Sequence, residues 1–154
     1  MHRILLIEDD SFKAINIREY ILELMPDSSF DEIPSLVEAI DFINKNTYDL
    51  VLVDMAIPSH PSLQGEGSPM SFLNGGLEIL LELKSLDRKD PCIVITQFHE
   101  IEISSVHYAV KDAADAIKKE IDCDILGCIE YSEESERWKA DLSKFIKKNE
   151  NPNT

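Results

Sequence analysis

The chain has 154 residues, 44% of them hydrophobic and 29% charged, which fits one domain with a real apolar core. Thirty acidic against fifteen basic residues leave a formal charge of −15, which opposes binding to nucleic acid or anionic lipid, and no DNA-binding segment is visible. No apolar run reaches membrane-span length and Met1-His2-Arg3 opens no signal peptide, so a cytoplasmic protein is expected, with Cys92, Cys123 and Cys128 read as reduced, buried thiols.

In chain order, Ile4 to Ile7 reads as a buried strand that ends in Glu8-Asp9-Asp10. Carboxylates packed this closely repel. At about 4 Å and an effective dielectric near 20, one like-charged pair costs on the order of 4 kcal/mol, so the cluster needs a cation, a proton or full solvation. Ala14, Ile17, Ile21 and Leu24 then recur at helical spacing, with Pro26 just beyond. Phe30 to Ile33 is short enough for an edge strand. Ser35 and Glu38 have capping-box spacing at the start of a helix that turns Leu36, Ile40 and Ile43 inward.

Leu50 to Val53 is unbroken, apolar and rich in β-branched residues, the pattern of a parallel strand buried on both faces. Asp54 ends it, and Pro58 cannot extend a central strand, so the chain must leave the sheet there. This puts Asp54 at a carboxyl strand end, the edge where ligands collect in open α/β sheets. The residues alone leave open that Asp54 only caps the next helix. Residues 59–74, with Pro61, Pro69, Gly65 and Gly67, read as a long loop.

Gly75-Gly76-Leu77 opens a helix through Leu86, with Leu80 and Leu83 inward, and Asp90-Pro91 precedes a fourth strand, Cys92 to Thr96. Val106, Val110, Ala113 and Ile117 are assigned to one face of a long helix. Ile125 to Ile129 is a fifth strand. Ser132 is expected to cap a last helix whose first turn carries Glu133, Glu134 and Glu136, whose end carries Lys144, Lys147 and Lys148, and whose inward stripe is Trp138, Leu142 and Phe145. Strand and helix alternate five times, which predicts one parallel sheet with helices on both faces. Residues 1–148 form the expected domain and 149–154 a polar tail.

If the strands are neighbours, Glu8-Asp9-Asp10, Asp54 and the hydroxyl of Thr96 converge, an oxygen-only set that suits Mg2+. At this point the sequence resembles the receiver domain of two-component response regulators. The resemblance rests on Ile4-Leu5-Leu6-Ile7-Glu8-Asp9-Asp10, Tyr48-Asp49-Leu50-Val51-Leu52-Val53-Asp54-Met55 with Pro58, Gly76-Leu77-Glu78-Ile79-Leu80, and Ile93-Val94-Ile95-Thr96. It implies a flavodoxin-like, doubly wound five-stranded sheet of order 2-1-3-4-5. It also implies phosphoryl transfer from a histidine kinase or phosphotransfer protein to Asp54. By the same matching Asp9 binds Mg2+ directly, Glu8 through water, Asp54 through a side-chain oxygen and Ala56 through its carbonyl, while Thr96 contacts the phosphoryl group and relays its arrival.

Two positions depart from the family pattern. Receivers place a lysine at the end of the fifth strand; aligning Gly127 with the glycine before it puts Tyr131 there, and no lysine lies between Lys119 and Lys139. Tyr131 is expected to cap the site instead. Gln97 stands where a small residue is usual. The expected function is a stand-alone receiver that switches on phosphorylation and signals through a partner or itself by way of residues 98–119 and the last helix; the alternative is a degenerate receiver that binds partners without phosphorylation. It is not expected to be an enzyme in its own right. A Mg2+-dependent phosphohydrolase of the haloacid dehalogenase type would need a second Asp where Ala56 stands.

Overall fold

The computed structural model describes residues 2–58, 71–72 and 75–150. Five parallel strands form the sheet: β1 (His2–Ile7), β2 (Ser28–Ile33), β3 (Leu50–Val53), β6 (Cys92–Thr96) and β9 (Gly127–Glu130). Their spatial order is β2-β1-β3-β6-β9, the expected doubly wound 2-1-3-4-5 arrangement. Alternation along each strand divides the core. Leu5, Ile7, Val51, Val53 and Val94 face α2 (Leu36–Lys45), α3 (Gly75–Ser85) and α4 (Val110–Ile121). Ile4, Leu6, Leu50, Leu52, Ile93, Ile95 and Ile129 face α1 (Ser11–Leu24) and α5 (Arg137–Glu150). Both faces of β1 and β3 are therefore dry, which is why these strands read as unbroken apolar runs.

The region after β6 differs from the expected long helix. Glu100–Ile103 (β7) and Val106–Ala109 (β8) form an antiparallel hairpin, and the helix begins only at Val110. The two turn residues, Ser104 and Ser105, both have positive φ, 52° and 68°, which is the twist a two-residue hairpin loop requires. Ile101 and Ile103 point into the core while Val106 is half exposed, so Val106 does not belong to the buried helical stripe. The alternation Glu100-Ile101-Glu102-Ile103 carried that strand signal, at a period of two.

Helix ends supply three further corrections. Ser35 stands at the N-cap of α2, but its buried hydroxyl caps nothing and has no partner, so no capping box forms. The last helix starts at Arg137: Ser135 accepts from the Arg137 N–H at 3.1 Å, Ser132 accepts from Glu134, and the glutamates precede the helix. Phe145 packs inward as expected, partly buried with its ring over Gly127, where an added Cβ would come within 2.3 Å of it, and the adjacent Ile146 is buried as well. The helix runs on to Glu150, so Asn149 and Glu150 are not tail. Residues 151–154 and most of the expected loop, including Pro61, Gly65, Gly67 and Pro69, lie outside the described residues. Ser71–Phe72 (β5) pairs with Ile57–Pro58 (β4) in a two-stranded ribbon just after the Asp54 turn.

Candidate functional site

Ile7 and Val53 are register partners on adjacent strands, so the residues that follow them, Glu8 and Asp54, stand side by side where both chains leave the sheet. The Asp54 N–H still donates to the Ile7 carbonyl at 3.2 Å, which fixes the offset. Glu8 and Asp54 are buried and Asp9 is exposed; one carboxylate oxygen from each lies within 4.8 Å of the other two. The neighbouring Asp10 is absorbed by the helix, its side chain accepting from the Phe12 and Lys13 N–H groups as N-cap of α1. Glu8 turns one oxygen back to accept from the Asp10 N–H at 3.1 Å.

The approach of α3 shapes the other wall. Gly76 donates to the Met55 carbonyl at 3.1 Å, and a Cβ there would stand 2.8 Å from the Asp54 carbonyl oxygen and 3.0 Å from Met55 Sδ. Only glycine permits that contact. Ala56 lies half-buried in the turn after Asp54.

Sequence reading missed Lys13. It is wholly buried, and its ammonium reaches Glu8 Oε2 at 2.7 Å and Asp54 Oδ2 at 3.1 Å while donating to the Ile95 carbonyl at 2.9 Å. The cation that the acidic cluster demands is thus partly built in. A signal existed: Lys13 is four and eight residues before Ile17 and Ile21, so a charge interrupts the buried stripe of α1. One oxygen, Asp54 Oδ1, is buried with no hydrogen-bond partner, and Glu8 Oε2 has only the ion pair.

The local electrostatics follow from this crowding. Burial pushes the Glu8 carboxyl well above the usual range, with Asp54 adding to the shift and Lys13 opposing it. Burial raises Asp9 too, and the Asp54 charge adds to it. Both carboxyls are short of compensating positive charge, the condition under which a further cation is welcome.

Thr96 is fully buried at the end of β6, its hydroxyl accepting from the Phe98 N–H at 3.2 Å and its carbonyl accepting from Tyr131 N at 2.7 Å. Tyr131 follows β9, as the alignment of Gly127 placed it. Its phenol oxygen accepts from Asn16 at 2.9 Å, its ring packs against Trp138 at 5.1 Å, and the Lys13 ammonium lies 5.7 Å from the ring centroid. Gln97 is exposed beyond the strand end. The structure therefore gathers Glu8, Asp9, Asp54 and Lys13 into one cluster, with Thr96 beside it on the strand that Lys13 also holds through Ile95.

Comparison with known proteins agrees with this arrangement. The sequence model described as "Response regulator receiver domain" matches residues 4–127. The Detocs response regulatory protein DtcB of Vibrio alginolyticus is 31% identical over 147 residues, covering 94% of this chain and 99% of DtcB. Among solved structures, a phosphorylated cyanobacterial phytochrome response regulator, RcpA, superposes with a TM-score of 0.63 at 19% identity over 99% of this chain and 96% of that one. The Mn2+-bound response regulator Rcp1 gives 0.62 at 17% identity over 96% and 93%. With the family pattern spanning most of its length and a relative matched nearly end to end, the chain belongs to the response regulator receiver domains of two-component signalling.

Proposed function

We propose that this receiver is a phosphorylation-dependent switch whose phosphoacceptor is Asp54. The observation that carries the reading is Asp54 Oδ1, a buried carboxylate oxygen with no partner at the end of the central strand, while Oδ2 of the same group is held by Lys13. One oxygen is held by the ammonium, and the other, which makes no hydrogen bond, is the one proposed to take the phosphoryl group. In the transfer, an O–P bond forms at Oδ1 as the N–P bond of a phosphohistidine donor breaks, its electron pair leaving on the imidazole nitrogen. Asp54 gives up no proton, because it reacts as the carboxylate.

Mg2+ is the proposed cofactor. Glu8, Asp9 and Asp54 offer three oxygens within 4.8 Å of one another, two of the residues are buried, and all are hard ligands. The Ala56 carbonyl is the fourth proposed ligand. A bound divalent ion supplies charge neutralisation between the carboxylates and the phosphoryl oxygens. Thr96 is proposed to donate its hydroxyl hydrogen to the transferred group while its oxygen still accepts from the Phe98 N–H, so that a shift of the hydroxyl pulls on the start of the segment that leads into the hairpin.

The proposed donor is a histidine kinase or phosphotransfer protein. The proposed output is a protein contact, or self-association, through the 98–119 region and α5. The protein is proposed to be cytoplasmic and a switch rather than an enzyme in its own right. No helix among the described residues is long and apolar enough to cross a membrane. The phosphorylation-independent reading drew on Tyr131 and Gln97; the Lys13 ammonium on Asp54 and the exposed position of Gln97 beyond the strand end support the phosphorylation-dependent reading.

Incubation with acetyl phosphate and Mg2+, followed by intact-mass spectrometry, tests the proposal. One acid-labile phosphoryl group is expected on the wild type and none on Asp54→Asn. Asp9→Asn should weaken Mg2+ binding in calorimetry. An unmodified wild type, or an equally modified Asp54→Asn, rejects Asp54 as phosphoacceptor.

A further inference from the structure

We infer that Lys13 supplies the ammonium that pairs with the phosphoryl group, so that this chain has moved that cation from the end of the fifth strand to the first helix and filled the vacated position with Tyr131. The inference rests on Asp54 being the phosphoacceptor.

Its ground is the placement of the ammonium. Lys13 Nζ is 3.1 Å from Asp54 Oδ2, on the group that would carry the phosphoryl, and its side chain is completely enclosed. A lysine held only to neutralise Glu8 would need that one contact, at 2.7 Å. Lys13 instead directs its three donors at Glu8, Asp54 and the Ile95 carbonyl, the residue before Thr96. Phosphorylation turns Asp54 into an ester and brings an oxyanion with nearly two charges next to the same ammonium. The four-carbon stem lets Nζ follow that charge by pivoting, and it remains tied to the strand that carries Thr96.

Tyr131 fits the exchange. Its ring lies beside the Lys13 ammonium and its phenol oxygen is held by Asn16, one turn further along α1, so the aromatic covers the lysine rather than donating to the acidic cluster. A lysine at 131 together with Lys13 would bring two ammonium groups to one enclosed site, and such like charges repel. The two positions are therefore alternatives for a single cation. Lys13 reaches its place because Asp10 caps the helix through the Lys13 N–H itself, which fixes the register of α1 against the sheet.

The test follows acetyl phosphate labelling with Mg2+ by intact mass over time for the full chain, Asp54→Asn, Lys13→Met, and Lys13→Met combined with Tyr131→Lys, with circular dichroism to report folding. Lys13→Met is expected to accumulate phosphoprotein about tenfold or more slowly, the loss of one charge-assisted bond, and the double variant to recover most of the rate. A purely structural Lys13 would not be rescued by an ammonium from β9. Labelling of folded Lys13→Met at the wild-type rate, or a folded double variant as slow as the single one, overturns the inference. If Lys13→Met does not fold, the double variant decides alone: near-wild-type labelling supports the exchange, and labelling tenfold slower overturns it. Failure of the wild type to label is a separate outcome, which rejects Asp54 as acceptor and the role of Lys13 with it.

Discussion

Replacing Gly76 by alanine tests whether the wall of the acidic site is set by backbone contact. In an ordinary helix position the change stabilises, by up to about 1 kcal/mol, because alanine has the higher helix propensity and a less flexible unfolded chain. Here the new methyl would stand 2.8 Å from the Asp54 carbonyl oxygen and 3.1 Å from Met55 Cα, against an ordinary C···O approach of about 3.3 Å or more. Both neighbours are backbone, so the Asp54 turn has to retreat by about 0.5 Å. Overpacking of this kind costs about 1–3 kcal/mol, which exceeds the propensity gain at a position in the first turn. The expected net loss is about 1–2 kcal/mol, or a fall in Tm of about 2–8 °C for a domain of this size. Asp54 moves with its turn, so labelling by acetyl phosphate should slow several-fold at temperatures where the variant remains folded. Urea denaturation and a labelling time course measure the two effects. A Gly76→Ala protein more stable than the wild type, and labelled as fast, would mean that no backbone contact with Asp54 limits position 76.

Asp90 accepts from both Arg88 nitrogens Nε and Nη2 and from the Tyr48 N–H; burial works to raise its carboxyl, but these bonds and the Arg88 charge outweigh it and hold the carboxyl below the usual range. A lowered carboxyl stabilises the fold above the ordinary carboxylate range and loses that contribution as pH falls through its folded value, so Asp90→Asn should cost about 1 kcal/mol near neutral pH and progressively less below about pH 4. Equal differences at both ends of that range would contradict the assignment. Cys128 is partly buried rather than buried as expected, and desolvation pushes its thiol and that of buried Cys92 up to about 12, so iodoacetamide at about pH 8 should alkylate both more slowly in the native protein than in urea; native alkylation at the rate of a free cysteine would contradict this. Lys111 is exposed at the start of α4, and Lys111→Glu should alter self-association or partner capture without changing Tm, whereas unchanged association would point to another face.

The sheet was legible because burial on both faces leaves no room for alternation: Ile4 to Ile7 and Leu50 to Val53 read as parallel strands directly, and the carboxylates at their ends followed. The hairpin was harder. A four-residue alternation beginning at Glu100 is short, and Val106 and Val110 happen to fall at helical spacing, although one faces solvent and the other the core. The start of α5 misled for a related reason, since Ser132 and the following glutamates satisfy the composition of a first turn while a serine three residues on makes the actual bond to Arg137. Lys13 was missed because an isolated lysine in a helix is usually solvated, and its burial depends on two carboxylates from β1 and β3 that come together only in the folded sheet. The apolar stripe showed where the helix faces inward; only the register of Ile7 with Val53 shows what waits there.

The most direct measurement is to locate the covalent bond itself. An acyl phosphate is reduced by borohydride, and a phosphorylated aspartate becomes homoserine, so labelled protein treated with tritiated or unlabelled borohydride and digested should yield a peptide spanning Leu50 to Ile57 with homoserine at position 54. Conversion is expected at Asp54, dependent on acetyl phosphate and Mg2+ and absent when either is omitted. Homoserine at Asp9 or Asp10, or the five-carbon alcohol 2-amino-5-hydroxypentanoate at Glu8, in place of homoserine at 54, or a labelled protein in which residue 54 remains aspartate, would contradict that placement.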